Sequence, residues 1–378
     1  MKANYPVEFM AASMTLDMGN TDKLAEFRAE AERLGIRVDP PSINRSGVEF
    51  AVDGTTIIYA LAALKGVGRQ AVESIVEARA NGPFKDLADF AERMNPRAVN
   101  KRVLESLAAA GAFDHFEKNR ARVFAGVDVV LARAQRAHET AAVGQSELFG
   151  GGGQQESIML PQVEPWLPAE RLKREYDAVG FFLSGHPLDD YAAVLKKLRV
   201  QPWAEFARAV KSGATTAGRV AGTVVSRQER RTRTGNKMGI IGLSDASGAY
   251  EAVVFSEGLA EYRDLLEPGT AVLMFMSAQV EGDEVRARIQ SAEPLDAAAA
   301  NLAKGLRVFL RDQAPIDAVA KRLEPAPRAA NGDGEVSVVL LLGQGTEVEV
   351  KLPGRFKVSP QIAGAIKSVP GVVQVEAL

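Results

Sequence analysis

Apolar positions follow helical spacing through the first half of the chain and strand-like alternation through much of the second. Leu24, Phe27, Ala31 and Leu34 recur at i, i+3, i+7 and i+10, one face of a helix over residues 22–34. Gly35 ends it, and Asp39-Pro40-Pro41-Ser42 forces extended chain. Residues 50–64 mix strand and helix signals and stay ambiguous. Residues 61–118 read as short helices broken at Asn81-Gly82-Pro83 and Asn95-Pro96, with helical periodicity over 99–110 and 120–140. Residues 144–153, with four glycines after Phe149, open a Gly/Gln/Pro-rich stretch to Pro168 that reads as a mobile linker. Helix returns over 169–213, interrupted at Gly185-His186-Pro187.

From Thr215 the period changes to two. Residues 218–226, 237–243, 250–255, 271–280 and 284–289 are five candidate strands, with one helical stretch, 257–266, between the third and fourth. That is the layout of a small OB-type barrel. Residues 304–378 read strand, helix, strand, strand, helix, strand, the β-α-β-β-α-β order of a split-βαβ sandwich. The expected fold class is multidomain α+β, divided at 1–60, 61–143, 144–168, 169–213, 214–297 and 298–378.

Composition narrows the function classes. The 378 residues are 46% hydrophobic and 25% charged, with a net charge of −2 and no cysteine. A disulfide framework and a thiolate zinc site are excluded. The three histidines, His115, His138 and His186, fall in unrelated stretches, so no metal site is expected. No run of 18 apolar residues exists, and the N-terminal MKANYPVEFMAASM lacks the core of a signal peptide; the expected location is cytoplasmic, with no membrane partner. Near-zero net charge argues against a uniformly basic nucleic-acid binder but leaves room for local patches.

Three features could carry chemistry. In Leu64-Lys65-Gly66-Val67-Gly68-Arg69, two glycines flank one apolar residue between helical stretches, the helix-hairpin-helix pattern. Its turn offers backbone N–H groups to a phosphate oxygen, with Lys65 and Arg69 adding charge, and reads DNA backbone rather than sequence. Residues 101–113 are a weaker second hairpin; a plain helical corner is the bland alternative. Gln145, Leu148 and Phe149 stand beside the polyglycine run, where an extended peptide could present an amide and two apolar anchors to a partner groove. Between Ala217 and Ile240, Arg219, Arg227, Arg230, Arg231, Arg233 and Lys237 face only Glu229, a local charge of +5. This run lies on the first strand's end and the following loop of the barrel, where OB domains hold nucleic acid. With no aromatic on the second strand and Tyr250 the nearest, the expected binding is electrostatic and salt-sensitive rather than by base stacking. No phosphate-binding loop, zincin motif or nucleophile elbow occurs. Asp189-Asp190 reads as a helix N-cap and His186 as a turn residue.

The order of these features resembles the C-terminal part of family C polymerases, the alpha subunits of bacterial DNA polymerase III. The similarity runs through Glu8–Ala12 and Met18–Thr21, Pro40–Asn44, Leu64–Gly68, Arg102–Glu105, Gly111–Asp114 and Gly180–Pro187, and is weakest in the last domain. It implies that 1–60 end the fingers, 61–143 hold duplex DNA, and Gln145, Leu148 and Phe149 dock on the sliding clamp (the beta subunit). It further implies that 169–213 connect to an OB domain at 214–297 near single-stranded template, and that 298–378 contact the clamp-loader tau subunit, beside other core subunits. The family's catalytic carboxylates have no counterpart here. No catalytic residue is carried over, no cofactor is expected in this chain, and Mg2+ is expected only in the full polymerase; the chain alone is expected to be inactive. A tRNA-binding OB protein and a stand-alone clamp-associated scaffold are the alternatives.

Overall fold

The structure is a computed structural model that describes residues 4–143, 157–231, 235–282, 284–300, 305–326, 333–342 and 347–378. It divides into two compact units: residues 1–166 with 170–184, and 167–169 with 185–378.

The first unit opens with α1 (Pro6–Leu16) and α2 (Thr21–Arg33), the latter started by Asn20, whose side chain accepts from the Lys23 N–H. The ambiguous residues include two short strands, β2 (Ala51–Asp53) and β3 (Thr56–Ile58), which join the earlier β1 (Arg37–Asp39) in the order β1-β3-β2. A single 3-10 turn, Leu61–Ala63, precedes α3 (Arg69–Arg79), α4 (Leu87–Arg93), α5 (Lys101–Ala109), α6 (Arg120–Ala125) and α7 (Val127–Val143). Asp86, Asn100 and Asn119 cap α4, α5 and α6 with their side chains, which fixes where each short helix begins. Met10, Met14, Leu24, Ile43, Leu61, Ile75, Phe90 and Leu107 share one core, and Ile43 N–H donates to the Ala112 carbonyl at 2.9 Å. Residues 1–60 thus pack into the helical region rather than standing apart.

Two expectations change here. Residues 157–166, read as linker, dock on this unit: the Asn119 side-chain amide donates to the Val163 carbonyl at 3.0 Å, Arg122 donates to Pro161 at 3.3 Å, and a Cβ on Gly126 would meet Leu160 at 2.5 Å. The stretch 169–213 is not one connector. Most of α8 (Pro168–Val179) and the chain to Ser184 belong to the first unit, and the break falls at Gly185-His186-Pro187. What draws α8 in is charge. Arg120, 8% exposed, donates to Asp114 (2.7 Å), to the Ala109 carbonyl (3.1 Å) and to Glu175 (3.0 Å). Glu175, 1% exposed, also accepts from the N–H groups of Leu183 (2.9 Å) and Ser184 (2.7 Å). Burial disfavours the Arg120 charge, but the two carboxylates more than offset it and its pKa is raised.

The second unit continues with a 3-10 turn at Asp189–Tyr191, α9 (Ala192–Lys197) and α10 (Trp203–Lys211). Then come β4 (Ala217–Arg231), β5 (Lys237–Asp245), β6 (Gly248–Phe255), α11 (Ser256–Glu261), β7 (Ala271–Glu281), β8 (Glu284–Pro294) and α12 (Leu295–Ala300). The five strands close in the order β4-β5-β6-β8-β7, as an OB barrel does. Val220, Val224, Ile241, Leu243, Val254, Met274 and Ile289 alternate into its core, and Phe206 of α10, fully buried, packs against them.

The last 74 residues form β9 (Gly305–Leu310), α13 (Ile316–Ala320), β10 (Asp333–Leu341), β11 (Glu347–Lys351), the two-residue β12 (Phe356–Lys357), α14 (Pro360–Lys367) and β13 (Val372–Ala377). The element order is as expected, but the pairing is not that of a split βαβ. There, another strand separates the two parallel strands. Here β9 and β10 pair directly and in parallel, so the sheet runs β11-β10-β9-β13. The closing β13 goes to the free edge of β9, antiparallel.

Candidate nucleic-acid interface

The hairpin turn is built by backbone constraint. Gly66 takes φ +80, a left-handed conformation that β-carbon sterics penalise in other residues. Val67 is buried and its N–H returns to the Leu64 carbonyl at 3.1 Å. Lys65 is gripped from both sides: its N–H donates to Ala178 at 2.7 Å, and its carbonyl accepts from the Ser106 hydroxyl at 2.9 Å. Gly68 then starts α3 without any side-chain cap, and Gly68, Arg69 and Gln70 are exposed. Uncapped N–H groups at the positive end of a helix form a seat for a phosphate oxygen.

The two cations expected beside this seat are differently placed. The Lys65 ammonium lies 5.6 Å from the Tyr176 ring centroid. Arg69 is shared with Glu49 (3.0 Å) and Glu73 (3.7 Å), which dilutes its charge. Sequence reasoning missed Arg102, whose Nε would lie 3.1 Å from a Cβ on Gly66. It comes from the first turn of α5; its spacing of four from Ser106, the residue that fixes Lys65, was the available signal. The weaker second hairpin does not repeat the arrangement. Gly111 takes φ +86, the Arg120 guanidinium occupies the place a Cβ would take there, and α6 is capped by Asn119.

On the barrel the described cations of the basic run lie on strands. Residues up to Arg231 are β4, paired with β5 as far as Arg231 opposite Lys237. Register sorts the cations. Arg227 is turned to Glu267 at 2.8 Å and to the Arg263 carbonyl at 2.7 Å, a structural role. Arg230 lies opposite Met238, is exposed, and meets Gln228 at 3.2 Å. Arg231 and Lys237 face each other at the ribbon's end, both exposed. Arg219 sits on the other side of β4, opposite the 45%-exposed Phe275 of β7. Tyr250 is no surface aromatic: it is buried, stacked on Trp203 with centroids 4.3 Å apart, and its hydroxyl donates to Ala221 at 3.2 Å. The exposed aromatic of the central strands is Phe255, 40% exposed on β6. Its position follows from period two, since Tyr250, Ala252 and Val254 all point inward.

Comparison with known proteins finds a family match over each of the two regions. A helix-hairpin-helix motif family matches residues 35–123, and an OB-fold nucleic acid binding domain family matches residues 219–295. The DNA polymerase III subunit alpha of Caulobacter vibrioides is 45% identical over 378 residues, all of this chain and 33% of that protein. Those of Vibrio cholerae (36% over 82% of this chain and 27% of that protein) and Escherichia coli K12 (31% over the whole chain and 33% of that protein) also align. Over its whole length the chain is similar to DNA polymerase III alpha subunits. It spans about a third of the length of the curated relatives it matches.

Of the remaining residues that the sequence singled out, Gln145, Leu148, Phe149 and Arg233 lie outside the described residues. Asp189 is not a helix N-cap: its carboxylate accepts from the His186 N–H at 2.7 Å within the turn. His186 is a buried turn residue, its Nδ1 accepting from the Leu188 N–H at 3.1 Å and its Nε2 3.2 Å from the Ser244 hydroxyl. Among the described residues no three His, Cys, Asp or Glu are grouped so as to hold a metal ion. Among the described residues no helix is long and apolar enough to cross a membrane.

Proposed function

We propose that this chain is the DNA-holding and partner-docking part of a replicative polymerase alpha subunit. The identity of 45% across all 378 residues with a polymerase III alpha subunit carries the reading. The uncapped start of α3 behind the Gly66 turn, with Arg102 beside it, supports a seat for duplex backbone. The Arg230, Arg231 and Lys237 ribbon of the barrel supports contact with single-stranded template. Nucleotide addition belongs to palm carboxylates and Mg2+ elsewhere in the full subunit. Residues 298–378 are assigned to the tau subunit, with the other core subunits as further partners, and the place of action is the cytoplasm.

The test is one experiment with two readouts. The chain is mixed with a fluorescent primed template, Mg2+ and nucleotides. Anisotropy should rise on binding and the primer should stay unextended. No binding would remove the DNA-holding role, tighter binding to tRNA would favour the OB alternative, and extension would overturn the non-catalytic assignment. Clamp docking is assigned to Gln145, Leu148 and Phe149. Leu148→Ala with Phe149→Ala should abolish capture of this chain by immobilised sliding clamp, and undiminished capture refutes the assignment.

A further inference from the structure

The outer barrel face carries a second kind of contact that the basic run does not explain. β4, β5, β6 and β8 lie side by side, and their register aligns outward residues in rows. One row is Gln228, Ile240, Val253 and Arg288; the next is Arg230, Met238 and Phe255. Ile240, Met238 and Val253 are half-buried, and Phe255 is 40% exposed. The Arg288 guanidinium lies 4.4 Å from the Phe255 ring centroid. Arg288 has no ion-pair partner among the described residues, whereas its neighbour Arg286 is tied to Glu281 at 2.7 Å. The nearest outward carboxylate on the same strand as Phe255 is Glu251, one row beyond Val253. An aromatic ring flanked by unbranched and branched apolar side chains, with unneutralised arginines at both edges, matches one ligand chemistry. That ligand carries flat apolar rings strung on a polyanion.

We propose that Phe255 is a base-stacking platform for single-stranded nucleic acid, with Met238 and Ile240 extending it and Arg288 and Arg230 holding the flanking phosphates. This rests on the reading of the barrel as a nucleic-acid domain and sharpens it: single-strand binding is not electrostatic alone. Base stacking on one aromatic is worth about 1–3 kcal/mol, so Phe255→Ala should weaken single-strand binding by roughly 5- to 150-fold at fixed salt. The salt slope should stay unchanged, because no phosphate contact is lost. Arg288→Gln should instead lower that slope by about 0.7.

The experiment uses the full chain with a fluorescent oligo-dT and, separately, a blunt duplex. Phe255→Trp serves as rescue. It should bind oligo-dT as the native chain does and show its indole fluorescence quenched on binding, which a merely structural role would not produce. Duplex affinity should be equal in all variants, since the Gly66 turn is untouched. Native single-strand affinity in Phe255→Ala, or loss of affinity that Phe255→Trp does not restore, overturns the platform. Absence of oligo-dT binding by the native chain overturns instead the reading of the barrel itself.

Discussion

Replacing Arg120 by Met is expected to destabilise the helical unit by about 3–5 kcal/mol, the cost of leaving the buried Glu175 carboxylate without its close cation. Glu175 would keep the N–H groups of Leu183 and Ser184 and the more distant Arg171 at 3.9 Å, and Asp114 would lose its partner within this cluster. The chain's two tryptophans fall one in each unit, which makes the measurement clean. With Trp203→Phe in the background, Trp166 fluorescence reports the helical unit in a urea titration. The midpoint should drop well below that of the parent. Adding Glu175→Leu should recover part of the loss, because it removes the stranded charge. An unchanged midpoint in Arg120→Met would show that the cluster contributes nothing net.

The barrel unit should lose stability as pH falls from about 6.5 to about 4. Burial holds His186 neutral and lowers its pKa to about 4, with Asp189 opposing that shift. Protonation would place a second donor at Nδ1, against the Leu188 N–H it now accepts from. Above pH 6.5 the imidazole is neutral both folded and unfolded, so it adds no slope. Between 6.5 and 4 the unfolded chain binds the proton and the folded one does not, so stability falls with pH by up to about 1.4 kcal/mol per unit, about 3 kcal/mol in all. Asp245 works the other way near the acid end. Burial raises its pKa, so the folded state takes a proton before the unfolded one does. Trp203 fluorescence in a Trp166→Phe background, followed through urea at pH 7 and pH 5, checks this. His186→Gln should flatten most of the difference between the two pH values, and an equal difference in that variant would assign the slope elsewhere.

The barrel and the helices were legible because period two and period 3.6 are written in the apolar positions themselves. The same alternation separates inward Tyr250 from outward Phe255, although Tyr250 is nearer the second strand in sequence. Arg120 was out of reach: its partner Glu175 lies 55 residues on, and nothing local marks either residue as buried. Nor could element order give the pairing of the last sheet, since β13 could reach either side of β9 by a short connection. The hairpin shows the middle case. Its glycines were readable, but the contribution of Arg102 depended on how α5 crosses the turn.

The docking of residues 157–166 changes what kind of connection carries Gln145, Leu148 and Phe149. The chain leaves at the end of α7, a 17-residue helix about 25 Å long, and comes back at that helix's foot, where Leu160 sits on Gly126. The described residues on either side of 144–156 thus belong to one unit. A partner docked on Gln145, Leu148 and Phe149, as proposed, would pull on the hairpin unit from both ends of that stretch. Pulling on that partner would load both attachments at once, whereas a tether between bodies would have only one attachment on each.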